Sequence, residues 1–168
     1  MIEEIVKGAQ FAKILGNFGE YLVCNWLSRS GFEVCIVDHT GMDVIACHPN
    51  RKQRLGITVK SRTRIFGKET ESVYIFRKAK KDRQKLLAAC EVFGCEPWIA
   101  IYVECAATAN LFLTSLSNYD KKHKSKEGRL IDAWKMTEKQ KDEYGGDPEA
   151  WHIGIKFNRE NWRVRRRR

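Results

Sequence analysis

Directly after Pro97, the run Trp98-Ile99-Ala100-Ile101-Tyr102-Val103 places six apolar residues in succession. A strand of that kind has no polar face to offer water, so it must be covered on both sides, as in a sheet sandwiched between helices. It predicts the central strand of a layered α/β domain, and residues 110–116 have the pattern of a neighbouring strand. Upstream, residues 11–30 are expected to be helical, with Phe18, Tyr21, Leu22, Trp26 and Leu27 at helical spacing and Ser30-Gly31 as the stop. Residues 32–37 and 44–47 read as two strands joined by the turn His39-Thr40-Gly41, the second ended by His48-Pro49-Asn50. In the next strand Leu55, Ile57 and Val59 alternate with Gly56, Thr58 and Lys60, which predicts one apolar face and puts Thr58 and Lys60 together on the other.

Residues 72–76 make a fourth short strand. Residues 82–93 form a second helix through Leu86, Leu87, Cys90 and Phe93, ended by Gly94. The segment 117–129, with Lys121, Lys122, Lys124 and Lys126, reads as an exposed loop; a helix near 137–144 and a last strand over 151–157 follow. The expectation is an α/β fold with a mixed central β-sheet flanked by helices. At 168 residues this is one domain, taken as 1–157 with a basic loop or insertion at about 117–150 and a basic tail over 158–168.

Charge narrows the function. Lys plus Arg is 31 against 21 for Asp plus Glu, a net charge of +10. Residues 156–168 hold seven basic residues and one acid, so more than half of that excess is in the tail. Such a balance points to a polyanionic partner. No run approaches the ~18 apolar residues of a membrane helix, and Glu3 and Glu4 stand where a signal peptide would be basic and then apolar. Six cysteines without repeated spacing read as buried free thiols in a reducing compartment, so the expected location is cytoplasmic, with no membrane partner.

Three charged residues stand at positions suited to chemistry: Glu20 in the first helix, Asp43 at the start of the second strand and Lys60 on the polar face of the third. Adjacent antiparallel strands can bring Asp43 and Lys60 side by side. A carboxylate there can hold Mg²⁺, which lowers the pKa of a bound water for attack on phosphate, while a lysine neutralises developing charge on the phosphate oxygens. Each residue alone has an ordinary explanation: a turn Asp, a strand-end Lys, a solvated helix Glu.

The segments Gly19-Glu20-Tyr21-Leu22-Val23, Gly41-Met42-Asp43-Val44-Ile45-Ala46 and Ile57-Thr58-Val59-Lys60-Ser61 together resemble, in order and spacing, the PD-(D/E)XK nuclease superfamily, the restriction-endonuclease-like group that includes archaeal Holliday junction resolvases. The resemblance covers about residues 15 to 116. It implies Glu20 as the helix acid near the metal, Asp43 as principal metal ligand, Lys60 as catalytic lysine, the Val59 carbonyl as a further ligand, and Mg²⁺ or Mn²⁺ as cofactor. One position departs: two residues before the lysine the family usually has an acid or sometimes Gln, and here it is Thr58, a neutral and weaker ligand. Glu20, or an acid such as Glu71 or Glu104, is the candidate to supply the missing charge.

Between Cys47 and Gly67 lie Arg51, Lys52, Arg54, Lys60, Arg62 and Arg64 and no acid, a local excess suited to a phosphate backbone. The tail arginines, Arg163, Arg165 and Arg166 among them, extend that track as an arm along phosphates. Trp134, Trp151 and Trp162 are candidates for stacking on unpaired bases, with packing the more ordinary role of the first two, and the four histidines read as turn or surface residues. The leading function is metal-dependent hydrolysis of DNA phosphodiester bonds. The alternatives are a nucleic-acid-binding module of the same fold, catalytically impaired through Thr58, and a protein-interaction subunit whose tail binds an acidic partner. Nucleic acid, DNA in the first instance, is the expected partner, and a homodimer is left open.

Overall fold

The computed structural model describes residues 7–65, 67–76, 79–105, 107–123 and 133–157. The tail calls on Arg163, Arg165 and Arg166, and those on Trp162, Lys124 and Lys126, lie outside the described residues. The chain runs α1 (Phe11–Arg29), β1 (Glu33–His39), β2 (Met42–His48), β3 (Gln53–Arg64), β4 (Val73–Tyr74), α2 (Ala79–Phe93), β5 (Glu96–Cys105), β6 (Thr108–Ser115), α3 (Leu116–Lys122), β7 (Ala133–Trp134), α4 (Glu138–Gly145) and β8 (Ala150–Lys156). Six strands form one sheet in the order β1-β2-β3-β5-β6-β8. All neighbours are antiparallel except β3 and β5, whose parallel pairing requires the crossover through β4 and α2. The fold is mixed α/β with a central mixed sheet flanked by helices. Among the described residues no helix is long and apolar enough to cross a membrane.

The apolar run behaves as its composition demands: Trp98 through Val103 is buried throughout, with Ala100 and Tyr102 in the core under α1 and Ile99 and Ile101 in the core on the opposite face. The second core is closed by Leu86 and Cys90 of α2, by Trp134 of the small β4–β7 sheet and by Tyr119 and Tyr144.

The buried face of α1 is rotated from the one expected. Leu15, Gly19, Val23, Cys24 and Leu27 face the sheet, while Phe18 and Tyr21 are 44% and 65% exposed. The cause is close approach: a Cβ at Gly19 would run into the Ser61 hydroxyl and come within 3.5 Å of the Tyr102 Cβ, so the smallest residue marks the contact line and the larger aromatics flank it. Phe18 still contributes edgewise, 5.3 Å from the Tyr102 ring.

On β3 the expected single apolar face becomes burial on both sides from Leu55 to Val59, because α2 lies across the second face at Gly56, where an added Cβ would stand 2.6 Å from Cys90 Sγ and 2.7 Å from Met42 Sδ. On α2, Leu87 and Phe93 are exposed and Arg83 is buried in their stead, its guanidinium bonding both oxygens of Asp120 at 2.9 and 2.7 Å and covering the Phe76 ring.

The start of the expected exposed loop at 117–129 is instead α3. Ser115 caps it by accepting from the Asn118 N–H at 3.1 Å, and Asn118 and Tyr119 are buried through bonds and ring contacts to Thr114, Asp147 and Trp134. Asp147 and Trp134 are remote in sequence, so the local lysines masked the helix. His123 likewise packs among Tyr119, Trp134 and Tyr144 rather than at the surface. None of the six cysteines is joined in a disulfide; Cys24, Cys90 and Cys105 are buried, whereas Cys35 is exposed because β1 is an edge strand.

Candidate active site

Strands β2 and β3 stop pairing at Val44 and Ile57, and the candidate site is built on that divergence. Asp43, the next residue on β2, turns its carboxylate to β3: Oδ2 accepts from the Val59 backbone N–H at 2.6 Å and from the Thr58 hydroxyl at 3.1 Å. The side chain thus replaces the next backbone acceptor of the ladder. Because N–H and C=O of one strand residue point to the same side, the Val59 carbonyl faces the same edge of β3 as the N–H that Asp43 accepts from. The second oxygen, Oδ1, accepts from no described residue and is the open ligand position of the carboxylate.

Lys60 follows two positions after Thr58 on the same face of β3 and donates from Nζ to Thr58 Oγ1 at 3.2 Å. Thr58 is 5% exposed and bridges the pair, accepting from the ammonium and donating to the carboxylate. Asp43 and Lys60 are therefore not in direct contact as adjacent strands suggested; a neutral hydroxyl lies between them. Two of the three ammonium protons remain available to an anion.

Glu20 completes the group from α1. Gly19 presses the helix onto Ser61 and Tyr102, one residue before Glu20. Burial pushes the Glu20 carboxyl above its ordinary range; the negative charge of Asp43 adds to the rise and Lys60 opposes it. Both charges are thus close enough to act on Glu20, which makes no hydrogen bond or ion pair with another described residue.

The site is held from the other side by the β1–β2 turn. Gly41 has φ +108°, and a Cβ there would lie 2.6 Å from the Lys85 backbone carbon, so the turn sits directly against α2. A cleft of about 390 Å³ opens between them, lined by Thr58, Lys60, Arg62, Tyr74 and Lys85 among others. Lys85 and Tyr74 escaped the sequence reading because they reach the cleft only through the packing of α2 and β4 on the sheet.

The basic run is divided by the strand that carries it. Arg51 and Lys52 occupy the β2–β3 turn, and Arg54 donates to the Phe93 carbonyl at 3.0 Å near the same end. Arg54 and Lys60 are six strand positions apart, about 20 Å. Only Arg62 and Arg64 continue on the Lys60 face, and Arg64 is engaged with the Ser72 carbonyl at 2.8 Å and with Glu71 at 3.8 Å. Neither acid considered as a substitute reaches Asp43: Glu71 pairs with Arg64 and Lys68, and Glu104 accepts from Thr63 and Tyr102. Trp134 is buried and Trp151 packs against Trp26 and Trp98, so both serve packing.

Among the described residues no three His, Cys, Asp or Glu side chains are grouped to hold a metal. The donors near the divergence are two carboxylates, Asp43 and Glu20, and the Val59 carbonyl. Mg²⁺ is commonly held by one or two carboxylates with water and substrate phosphate completing its shell, so this set fits such an ion, held loosely in the absence of phosphate.

No protein-family model and no curated protein matches the sequence. Among solved structures, the chain is similar to Hjc, a Holliday junction resolvase of the archaeal hyperthermophile Archaeoglobus fulgidus, at 20% identity over 74% of this chain and 84% of that one, with a TM-score of 0.49.

Proposed function

We propose that this protein is a divalent-metal-dependent nuclease of the PD-(D/E)XK type that hydrolyses DNA phosphodiester bonds. The observation that carries the reading is the hydrogen-bonded chain Asp43–Thr58–Lys60 at the point where β2 and β3 diverge, with the Glu20 carboxyl of α1 near enough to feel both charges.

Asp43 Oδ1, the Glu20 carboxylate and the Val59 carbonyl would hold Mg²⁺ or Mn²⁺. When bound, the ion supplies charge neutralisation at the phosphate and a bound water of lowered pKa. Lys60 meets a non-bridging phosphate oxygen with its free ammonium protons, where charge grows as the fifth bond forms. Arg62 and Lys85 line the approach to Lys60 and bind the flanking backbone as phosphate contacts without sequence information.

Thr58 favours a second reading. Its neutral hydroxyl stands between Asp43 and Lys60 where the resembled family usually has an acid, so the site has one carboxylate fewer for a metal, as a nucleic-acid-binding module without turnover would allow. Incubating the protein with duplex, branched and single-stranded DNA in Mg²⁺ or Mn²⁺ separates the two. Nicking that is lost in Asp43→Ala supports the nuclease; metal-independent binding without nicking supports the module.

A further inference from the structure

We infer that the cleft beside Lys60 receives an unpaired nucleotide, its base stacked on Tyr74 and its phosphate met by Lys60, Arg62 and Lys85. The inference rests on the nuclease reading of the same site and narrows its substrate to DNA with an unpaired base next to the bond presented to Asp43.

The cleft is continuous with the candidate site, since Thr58 and Lys60 form part of its wall, and its volume of about 390 Å³ suits a ligand of nucleotide size. Tyr74 is 64% exposed although both flanking residues, Val73 and Ile75, are at most 1% exposed. Its backbone is pinned by pairing of Tyr74 with Ala133 and of Val73 with the buried Trp134. The ring therefore stands on a fixed support and presents apolar surface to the cleft at a cost in hydration that a stacked base would remove. Phe76 also lines the cleft, but the Arg83 guanidinium lies over its ring at 4.9 Å, which leaves Tyr74 as the platform.

Lys60, Arg62 and Lys85 put three cations around the same space, against Asp82, which pairs with Lys85 at 3.7 Å. A base within a duplex has both faces covered by its neighbours and cannot enter such a cleft unless it leaves the stack. An aromatic wall beside a cationic one matches the two halves of an unpaired nucleotide, and stacking of this kind tolerates any base.

The test uses the full chain in metal-free buffer, so that no DNA is cut. Three probes carry 2-aminopurine at one position: a perfect duplex, the same duplex with that nucleotide bulged, and the single strand. The bulged probe is expected to bind roughly tenfold tighter than the perfect duplex, with its fluorescence quenched on binding. Tyr74→Ala should bring its affinity down to the duplex level and abolish the quenching, while Tyr74→Phe keeps both. Equal affinity for bulged and perfect duplex, or a preference unaltered in Tyr74→Ala, would overturn the inference. Cleavage of the same DNAs with Mg²⁺ by wild type and Asp43→Ala reads the nuclease assignment separately. Asp43-dependent cleavage without a Tyr74-dependent preference removes the inference alone; a Tyr74-dependent preference without any cleavage supports the cleft's occupant and removes the nuclease reading.

Discussion

The Val59 backbone N–H donates to Asp43 Oδ2 at 2.6 Å, just past the last paired position of β2 and β3. One carboxylate thus serves both as a structural acceptor that ends a strand pairing and as the candidate metal ligand. The two roles separate by substitution. Asp43→Ala leaves a part-buried N–H without its partner and should cost about 1 to 3 kcal/mol in a urea melt. Asp43→Asn keeps an acceptor oxygen and should stay within about 1 kcal/mol of wild type. Both should lose metal-dependent cleavage; retention of cleavage in either would remove Asp43 from the site.

Thr58→Glu is expected to move stability in opposite directions with and without metal. A carboxylate at this buried position stands beside Asp43 Oδ2, which Thr58 now contacts at 3.1 Å, so the metal-free melting temperature should fall. The added oxygen ligand should strengthen Mn²⁺ binding, and the rise in melting temperature on adding Mn²⁺ should exceed that of wild type. An equal rise would mean that the metal is held without this corner.

Gly41→Ala should destabilise the fold by about 3 kcal/mol, roughly 6 to 12 °C in melting temperature. The residue combines φ +108° with backbone atoms of Lys85 and Leu86 at 2.6 to 2.9 Å from an added Cβ, and neither can yield without moving α2. Gly67→Ala shares the positive φ but has nothing within 4 Å, so it measures the backbone cost alone and should lose distinctly less.

Acid sensitivity should trace in part to Asp147. Burial pushes its carboxyl up, but bonds from Lys122, Asn118 and the Glu149 N–H outweigh burial and hold the pKa below the ordinary value. A depressed folded-state pKa contributes stability that is fully present above the unfolded value of about 3.9 and is lost as pH falls through the folded one. Asp147→Asn should therefore cost about 1 to 3 kcal/mol at pH 7 and flatten the stability curve below pH ~4. Parallel curves for the two proteins would refute this.

Much of the architecture is written in local pattern. Six apolar residues at 98–103 demand cover on both faces, the 39–41 turn makes a hairpin, and period-2 alternation in β3 puts Thr58 and Lys60 on one face. These features depend on neighbours in the chain, so composition and spacing carry them. The order of Glu20, Asp43 and Lys60 along the elements was legible in the same way.

What periodicity does not contain is where a pairing ends and how closely two elements approach, because both are decided by contacts between residues far apart in sequence. Only the folded sheet shows that pairing stops at Val44–Ile57, leaving Asp43 to satisfy Val59, and that Thr58 stands between Asp43 and Lys60. The close approach at Gly19 turned the α1 face away from Phe18 and Tyr21, and the rise of β3 carried Arg51, Lys52 and Arg54 to the far end from Lys60. The cleft with Tyr74 and Lys85 exists because Gly41 lets a turn touch the backbone of α2, a contact between residues 44 positions apart that no local pattern records.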